Sequence, residues 1–229
     1  MTATVLFAAL LVAYGNGTSL LFRGDLPGGH WIGLALGSLL LAGSLVWARA
    51  VGLRRAELGL CRRRLVTSAL VGALLAAVAA AAALVVLRFP PLLGESVTYA
   101  PARAVEPGPL ATHLLVFLPL SVVIPEEIAF RGALLGALLR RIETLRAVTL
   151  SACVFALWHV VITITTIELT NLNADRLFAA LGAAGALVAV LVGGAAFALL
   201  RLRTGNLAAS VAAHRGFNAA ILVGLRSAG

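Results

Sequence analysis

Seven polar or ionisable side chains stand inside stretches that are otherwise almost wholly apolar. They are Glu126, Glu127 and Arg131 in PEEIAFRG, His159 in VFALWHV, and His214, Arg215 and Asn218 in HRGFN. This set is suited to acid–base chemistry. A low-dielectric setting fits a carboxylate for general-base work near neutral pH. Glu126 is the best candidate, with His159 helping to orient and deprotonate a water. His214 and Asn218, four residues apart, share a helix face and suit the oxyanion that develops when water attacks a carbonyl. No Ser or Cys stands beside a His as a nucleophilic dyad, which leaves water as the nucleophile. Glu126, His159 and His214 could equally be a one-carboxylate, two-imidazole set, as in hydrolytic zinc sites. The three donors come from separate segments and there is no HExxH motif, so metal-free glutamate chemistry is favoured and Zn2+ is the alternative.

Each residue also has a plainer reading. Glu127 and Arg131, at i and i+4, form a natural intrahelical ion pair whose role is support. Glu126, one residue earlier, points about 100° away and is free to face another helix. Phe155 shares a face with His159 and reads as pocket wall. His159 or His214 alone would be an interhelical hydrogen-bond donor. Arg215 has no evident partner.

The elements that must position these groups follow from composition. Of 229 residues, 61% are hydrophobic and 12% charged, with mean hydropathy +1.04. A soluble domain averages about 45–50% apolar and about 25% charged, so this chain has too little polar surface for water and is expected to be an integral membrane protein. A charge near the bilayer midplane costs roughly 2.5–3.5 kcal/mol on insertion scales, so Glu126, Glu127 and Arg131 unpaired would cost on the order of 8–10 kcal/mol. Packing alone does not justify that cost.

Apolar runs of about 20 residues read as membrane-crossing helices. The sequence predicts an all-α bundle of seven spans: 3–22, 31–48, 65–87, 110–139, 147–167, 177–200 and 207–225. The first is weakest, because YGNGTS interrupts it, and no cleavable leader is expected. Pro119 and Pro125 are expected to kink the fourth, whose second half could run on beyond the membrane. The chain reads as one integral membrane domain, 1–229, with a catalytic core at 110–225. Gly33/Gly37 and Gly132/Gly136 read as ordinary close helix packing.

The net charge of +9 comes entirely from Arg, since Lys is absent. This usage, with abundant Ala, Leu and Gly, points to a GC-rich bacterial genome. Eleven arginines fall in the loops at 49–64, 140–146 and 201–206, against five on the opposite side. The positive-inside rule then puts the N-terminus in the cytoplasm, in a multi-pass plasma-membrane protein whose site opens toward the cytoplasm. This clustering argues against a nucleic-acid partner. The loop at 88–109 reads as an irregular external connector. At ~1.5 Å per residue, Glu126, His159 and His214 lie about 20, 18 and 11 Å from the arginine-rich ends of their spans, so the three can share one depth.

EEIAFRG fits an EExxxR motif, FALWH an FxxxH motif and HRGFN an HxxxN motif, in that order. On these residues the chain resembles the CPBP family, which unites type II CAAX prenyl endopeptidases with bacterial Abi (bacteriocin-immunity-type) proteins. The resemblance spans roughly residues 110–225. It implies an intramembrane endopeptidase acting on membrane-associated peptides or protein tails. Glu126 and His159 would activate water, His214 and Asn218 would hold the oxyanion, and Glu127 and Arg131 would support them. The family has been described both as metalloproteases and as glutamate-dependent, which leaves Zn2+ open. A prenylated substrate does not carry over to a bacterial chain, and Arg215 is not part of the motif. Two other readings compete: a non-catalytic immunity-type membrane adaptor, and a proton-coupled transporter. Confinement of the polar residues to the second half counts against the transporter, since transporters pair such features in both halves.

Overall fold

The computed structural model describes residues 2–21, 29–62, 64–90 and 94–227; Arg23 and Arg63 lie outside them. The described residues form a helical bundle whose elements we number α1 (Thr2–Leu21), α2 (Gly29–Ala50), α3 (Leu65–Arg88), α4 (Pro107–Leu139), α5 (Thr144–Trp158), α6 (Val160–Glu168), α7 (Arg176–Thr204) and α8 (Ala208–Arg226). Five helices (α1, α2, α3, α4 and α7) are each long and apolar enough to cross a membrane, and α5 with α6 makes a sixth, bent span. The run expected at 147–167 is thus helical but broken by 44°. The run expected at 207–225 is helical from Ala208 as α8 but is not among the helices long and apolar enough to cross, so the described residues carry five or six such spans where seven were expected. The fold is all-α and the protein is a multi-pass membrane protein.

YGNGTS does not interrupt α1, which continues to Leu21. Its hydroxyls turn back onto the helix: Thr18 Oγ1 donates to the Tyr14 carbonyl at 2.9 Å and Ser19 Oγ to the Gly15 carbonyl at 2.8 Å. Short polar side chains can therefore satisfy themselves inside an apolar helix.

The long α4 runs on as one helix through both prolines, with wide turns on either side of Pro125. Residues His113–Val123 and Ile128–Leu134 take π-helical turns, and the Ile124 N–H reaches the Pro119 carbonyl five residues back. A proline offers no N–H to the helical ladder, and wide turns of this kind recur at functional sites. Between them, Ile124–Glu127 forms a tight segment carrying both glutamates. The second half of α4 does not project from the bundle: every residue from Pro125 to Leu138 is buried. It is the central element, with α1, α2, α5 and the 51–62 loop packed around it.

That loop is more than a topology marker. Arg140 holds the Glu57 carboxylate in a two-pronged pair, with Nε and Nη2 each at 2.6 Å, and also donates to the Val51 and Gly52 carbonyls at 3.1 and 2.7 Å. The buried Arg201 donates to the Glu57 carbonyl, and the Leu207 N–H to the Gly59 carbonyl at 2.9 Å. Arginine-rich segments thus meet at one end of the bundle, where two arginines act as structural ties. Gly132 and Gly136 serve this loop and not a neighbouring helix. A Cβ on Gly136 would sit 2.7 Å from the Glu57 carbonyl oxygen, and one on Gly132 3.3 Å from that of Leu58. Gly37 does admit a helix, since a Cβ there would overlap the Ser121 backbone of α4.

α3 and α8 pack along a stripe of small residues. Ser68, Gly72, Ala76 and Ala80 are the buried face of α3. A Cβ on Gly72 would overlap the Ala209 carbonyl of α8, and one on Gly216 would come 3.0 Å from Ala76. The connector before α4 is pinned where an irregular loop was expected. The Thr98 N–H donates to Asn171 Oδ1 at 2.9 Å, Tyr99 pairs with Thr170, and Ala100–Ala104 is a helical turn.

The Arg140 hydrogen bonds, helped by the Arg54 N–H, hold the Glu57 carboxyl down at about 2, against an ordinary value of 4.5. A carboxyl depressed by folding adds stability that is complete above its unfolded pKa and is lost as pH falls through the folded value. The expected outcome is an unfolding temperature in detergent that declines from pH 4.5 toward pH 2, with a shallower decline in Glu57→Gln. Both partners are about a third exposed, so the contribution is modest.

Candidate active site

The three polar segments converge in the bundle interior. Glu127, wholly buried, is engaged from two sides on one oxygen: Oε1 accepts from His214 Nδ1 at 3.0 Å and is ion-paired with Arg131 Nη1 at 3.1 Å. Arg131, also wholly buried, donates through Nη2 to the Gly194 carbonyl of α7 at 3.3 Å. Its guanidinium lies 3.9 Å from the centroid of the Phe155 ring and 5.2 Å from that of Phe197. A buried arginine is thereby met by one carboxylate, one carbonyl and two ring faces, the kind of compensation its burial demands.

Glu126 turns the other way, as its one-residue offset requires. Its Oε2 lies 3.9 Å from His159 Nε2 and 4.0 Å from His214 Nε2, and it makes no hydrogen bond within the protein. The orientation of both rings is set from behind. His159 Nδ1 is 2.8 Å from the Phe155 carbonyl, and His214 Nδ1 faces the Glu127 carboxylate. A carbonyl and a carboxylate only accept, so both Nδ1 atoms carry hydrogen and both Nε2 atoms are turned to Glu126. Phe155 serves twice, with its ring on Arg131 and its carbonyl on His159.

His159 is the residue at which α5 ends and α6 begins, with φ −91° and ψ 2°. This sparsely populated backbone region recurs at active sites. Its ring is partly exposed, at 18%, whereas Glu126 and His214 are buried. Asn218 lies one turn beyond His214 and is half-buried. Arg215 is half-buried as well, and its Nε makes no hydrogen bond.

The spacing bears on what the pocket can hold. Zinc bonds of about 2.0–2.1 Å would put tetrahedral donors about 3.4 Å apart. The set would have to contract by about half an ångström to take zinc in that geometry. A water at hydrogen-bond distance, about 2.8 Å, bridges the present separations without adjustment. Among the described residues no group of three or more His, Cys, Asp and Glu side chains has an arrangement that could hold a metal ion.

Sequence reasoning missed α7 as a contributor. Gly194 and Phe197 complete the cage around Arg131, and Phe197 stacks on His214 at 5.2 Å. The only sequence signal was a Gly pair in VLVGGAAF. A Cβ on Gly194 would lie 3.2 Å from Phe155, so the glycine lets α5 and α7 close on the pocket.

A buried carboxylate–histidine cluster in a polytopic helical bundle defines the class of protein as a membrane protein with an intramembrane polar site. Residues 108–220 match the family described as Rce1-like, type II CAAX prenyl endopeptidase Rce1-like, and the chain belongs to that family of CAAX-type endopeptidases. No match was found among curated proteins or among solved structures.

Removing one partner of a buried ion pair strands the other and costs about 3–5 kcal/mol. Arg131→Met is therefore expected to lower stability by about that amount, read as denaturant or thermal unfolding in detergent. A change under about 1 kcal/mol would show that the Glu127 charge has other means of compensation.

Proposed function

We propose that this protein is an intramembrane endopeptidase that hydrolyses a peptide bond of membrane-associated peptides or protein tails with a glutamate-activated water. The observation that carries the reading is Oε2 of Glu126, buried without a hydrogen bond in the protein and faced by two imidazole Nε2 atoms at 3.9 and 4.0 Å. A water held there gives one proton to Glu126 while His159 Nε2 accepts its other hydrogen and aligns its lone pair on the scissile carbonyl. Glu126 then passes its proton to the leaving amine.

The donors to the oxyanion are His214, through Nε2 with its Nδ1 held on Glu127, and the amide of Asn218 on the same face. Together they stabilise the oxyanion of the tetrahedral intermediate. Glu127 and Arg131 hold His214 in place. The catalytic core is residues 110–225. The arginine-rich end, in a plasma membrane, lies in the cytoplasm under the positive-inside rule, and the pocket opens to that side.

In the test, Glu126→Gln, His159→Ala and His214→Ala each lower kcat for a membrane-associated peptide substrate by about 100-fold or more while the fold persists. Full activity in Glu126→Gln would rule the mechanism out. Elemental analysis of the purified protein, paired with a chelator in the same assay, checks the metal. Stoichiometric zinc together with chelator-sensitive cleavage would replace the glutamate mechanism with a Zn2+ site on Glu126, His159 and His214.

A further inference from the structure

Asn16 lies on α1, outside the family-matched segment. Its side chain reaches the break between α5 and α6. Nδ2 donates to the Leu157 carbonyl at 2.8 Å, and Oδ1 accepts from the Val161 N–H at 2.9 Å. Residues 157 and 161 are an i, i+4 pair. In an unbroken helix the Val161 N–H would bond the Leu157 carbonyl directly. The carboxamide is inserted into that one missing rung, supplying a donor to the orphaned carbonyl and an acceptor to the orphaned N–H. The second Nδ2 hydrogen goes to the Val12 carbonyl of its own helix at 2.8 Å, so the amide's two donors are both used.

The rung spans His159, which sits midway between residues 157 and 161. Side chains inserted into the helical ladder are among the few causes of a sharp bend, and the bend here is 44°. In lipid an open rung is costly unless something satisfies it. Neighbouring residues support the insertion. A Cβ on Gly15 would overlap the Trp158 ring, so the glycine lets α1 approach, and Tyr14 stacks on Trp158 at 5.8 Å.

We propose that Asn16 is a positioning residue for His159: its carboxamide holds the α5–α6 rung open and so sets the ring that faces Glu126. The proposal rests on the catalytic role given above to His159. Without the amide, the Leu157–Val161 bond can close, the bend straightens, and the ring at the hinge rotates about the helix axis away from Glu126.

The experiment compares Asn16→Ala with Tyr14→Phe in the full chain. Tyr14→Phe removes another α1 anchor, the 2.8 Å bond to the Leu36 carbonyl, and leaves the rung alone. Two quantities are read: steady-state cleavage of the peptide substrate, and imidazole nitrogen NMR shifts of His159 and His214. Asn16→Ala is expected to lower kcat about 10–100-fold, as misplacement of a reacting group does, with KM within about twofold. It should also move the His159 resonances and leave those of His214 in place. Tyr14→Phe should change neither quantity.

Unshifted His159 resonances in Asn16→Ala, or equal effects of the two variants, overturn the proposal. Should Asn16→Ala not fold, Asn16→Asp keeps the acceptor for Val161 and lacks the donor for Leu157, and the same two readouts decide. Full cleavage by His159→Ala would instead sink the catalytic reading, whatever the NMR arm shows.

Discussion

The structure depends on compensating the charges buried most deeply inside an apolar bundle. Glu127 is the centre of that arrangement. One of its oxygens takes both Arg131 and the Nδ1 of His214, so a helix-internal ion pair and an interhelical hydrogen bond share a single acceptor. The pair compensates the two charges most deeply buried, and the bond to His214 ties α8 to α4. Phe155, Phe197 and the Gly194 carbonyl then enclose the guanidinium with groups that tolerate a cation. Removing either Glu127 or Arg131 leaves an uncompensated charge in low dielectric, where the cost is several kcal/mol.

Glu126 can differ in character from Glu127 only because that neighbouring arrangement exists. The two glutamates are adjacent in sequence, yet the helix turns them about 100° apart. Glu127 is consumed by Arg131 and His214, while Glu126 keeps an oxygen without a hydrogen bond, facing two imidazole nitrogens. Assigning support to one carboxylate and reactivity to the other is the division that acid–base sites commonly show, with environment and not residue type deciding the role.

The rest of the bundle serves to hold three backbones at close quarters. Small residues on α3 let α8 approach, glycines on α4 accept the 51–62 loop, and Gly15 lets α1 reach the break at His159. In a membrane there is little hydrophobic gain from one helix touching another, so close packing and interhelical hydrogen bonds carry the association. Asn206 illustrates the same economy outside the pocket: its side chain caps the start of α8 through the Ala208 N–H and donates to Ser68 on α3.

The sequence by itself determined the all-α membrane class, the approximate limits of the helices, and which residues were out of place in lipid. The reason is that insertion energy and helical periodicity are local properties, legible from about 20 residues at a time. It also separated the faces of Glu126 and Glu127, because one residue of offset fixes their angle. Tertiary structure alone decided that α1 reaches the α5–α6 break, that Arg140 and Arg201 are ties, and that the second half of α4 is the core. Gly194 and Phe197 were invisible in an apolar run, and Asn16 read as an interruption, because the partner that gives each its meaning lies on another helix. A carboxamide in a hydrophobic span looks like a defect until the broken rung it completes, more than a hundred residues away, is brought beside it.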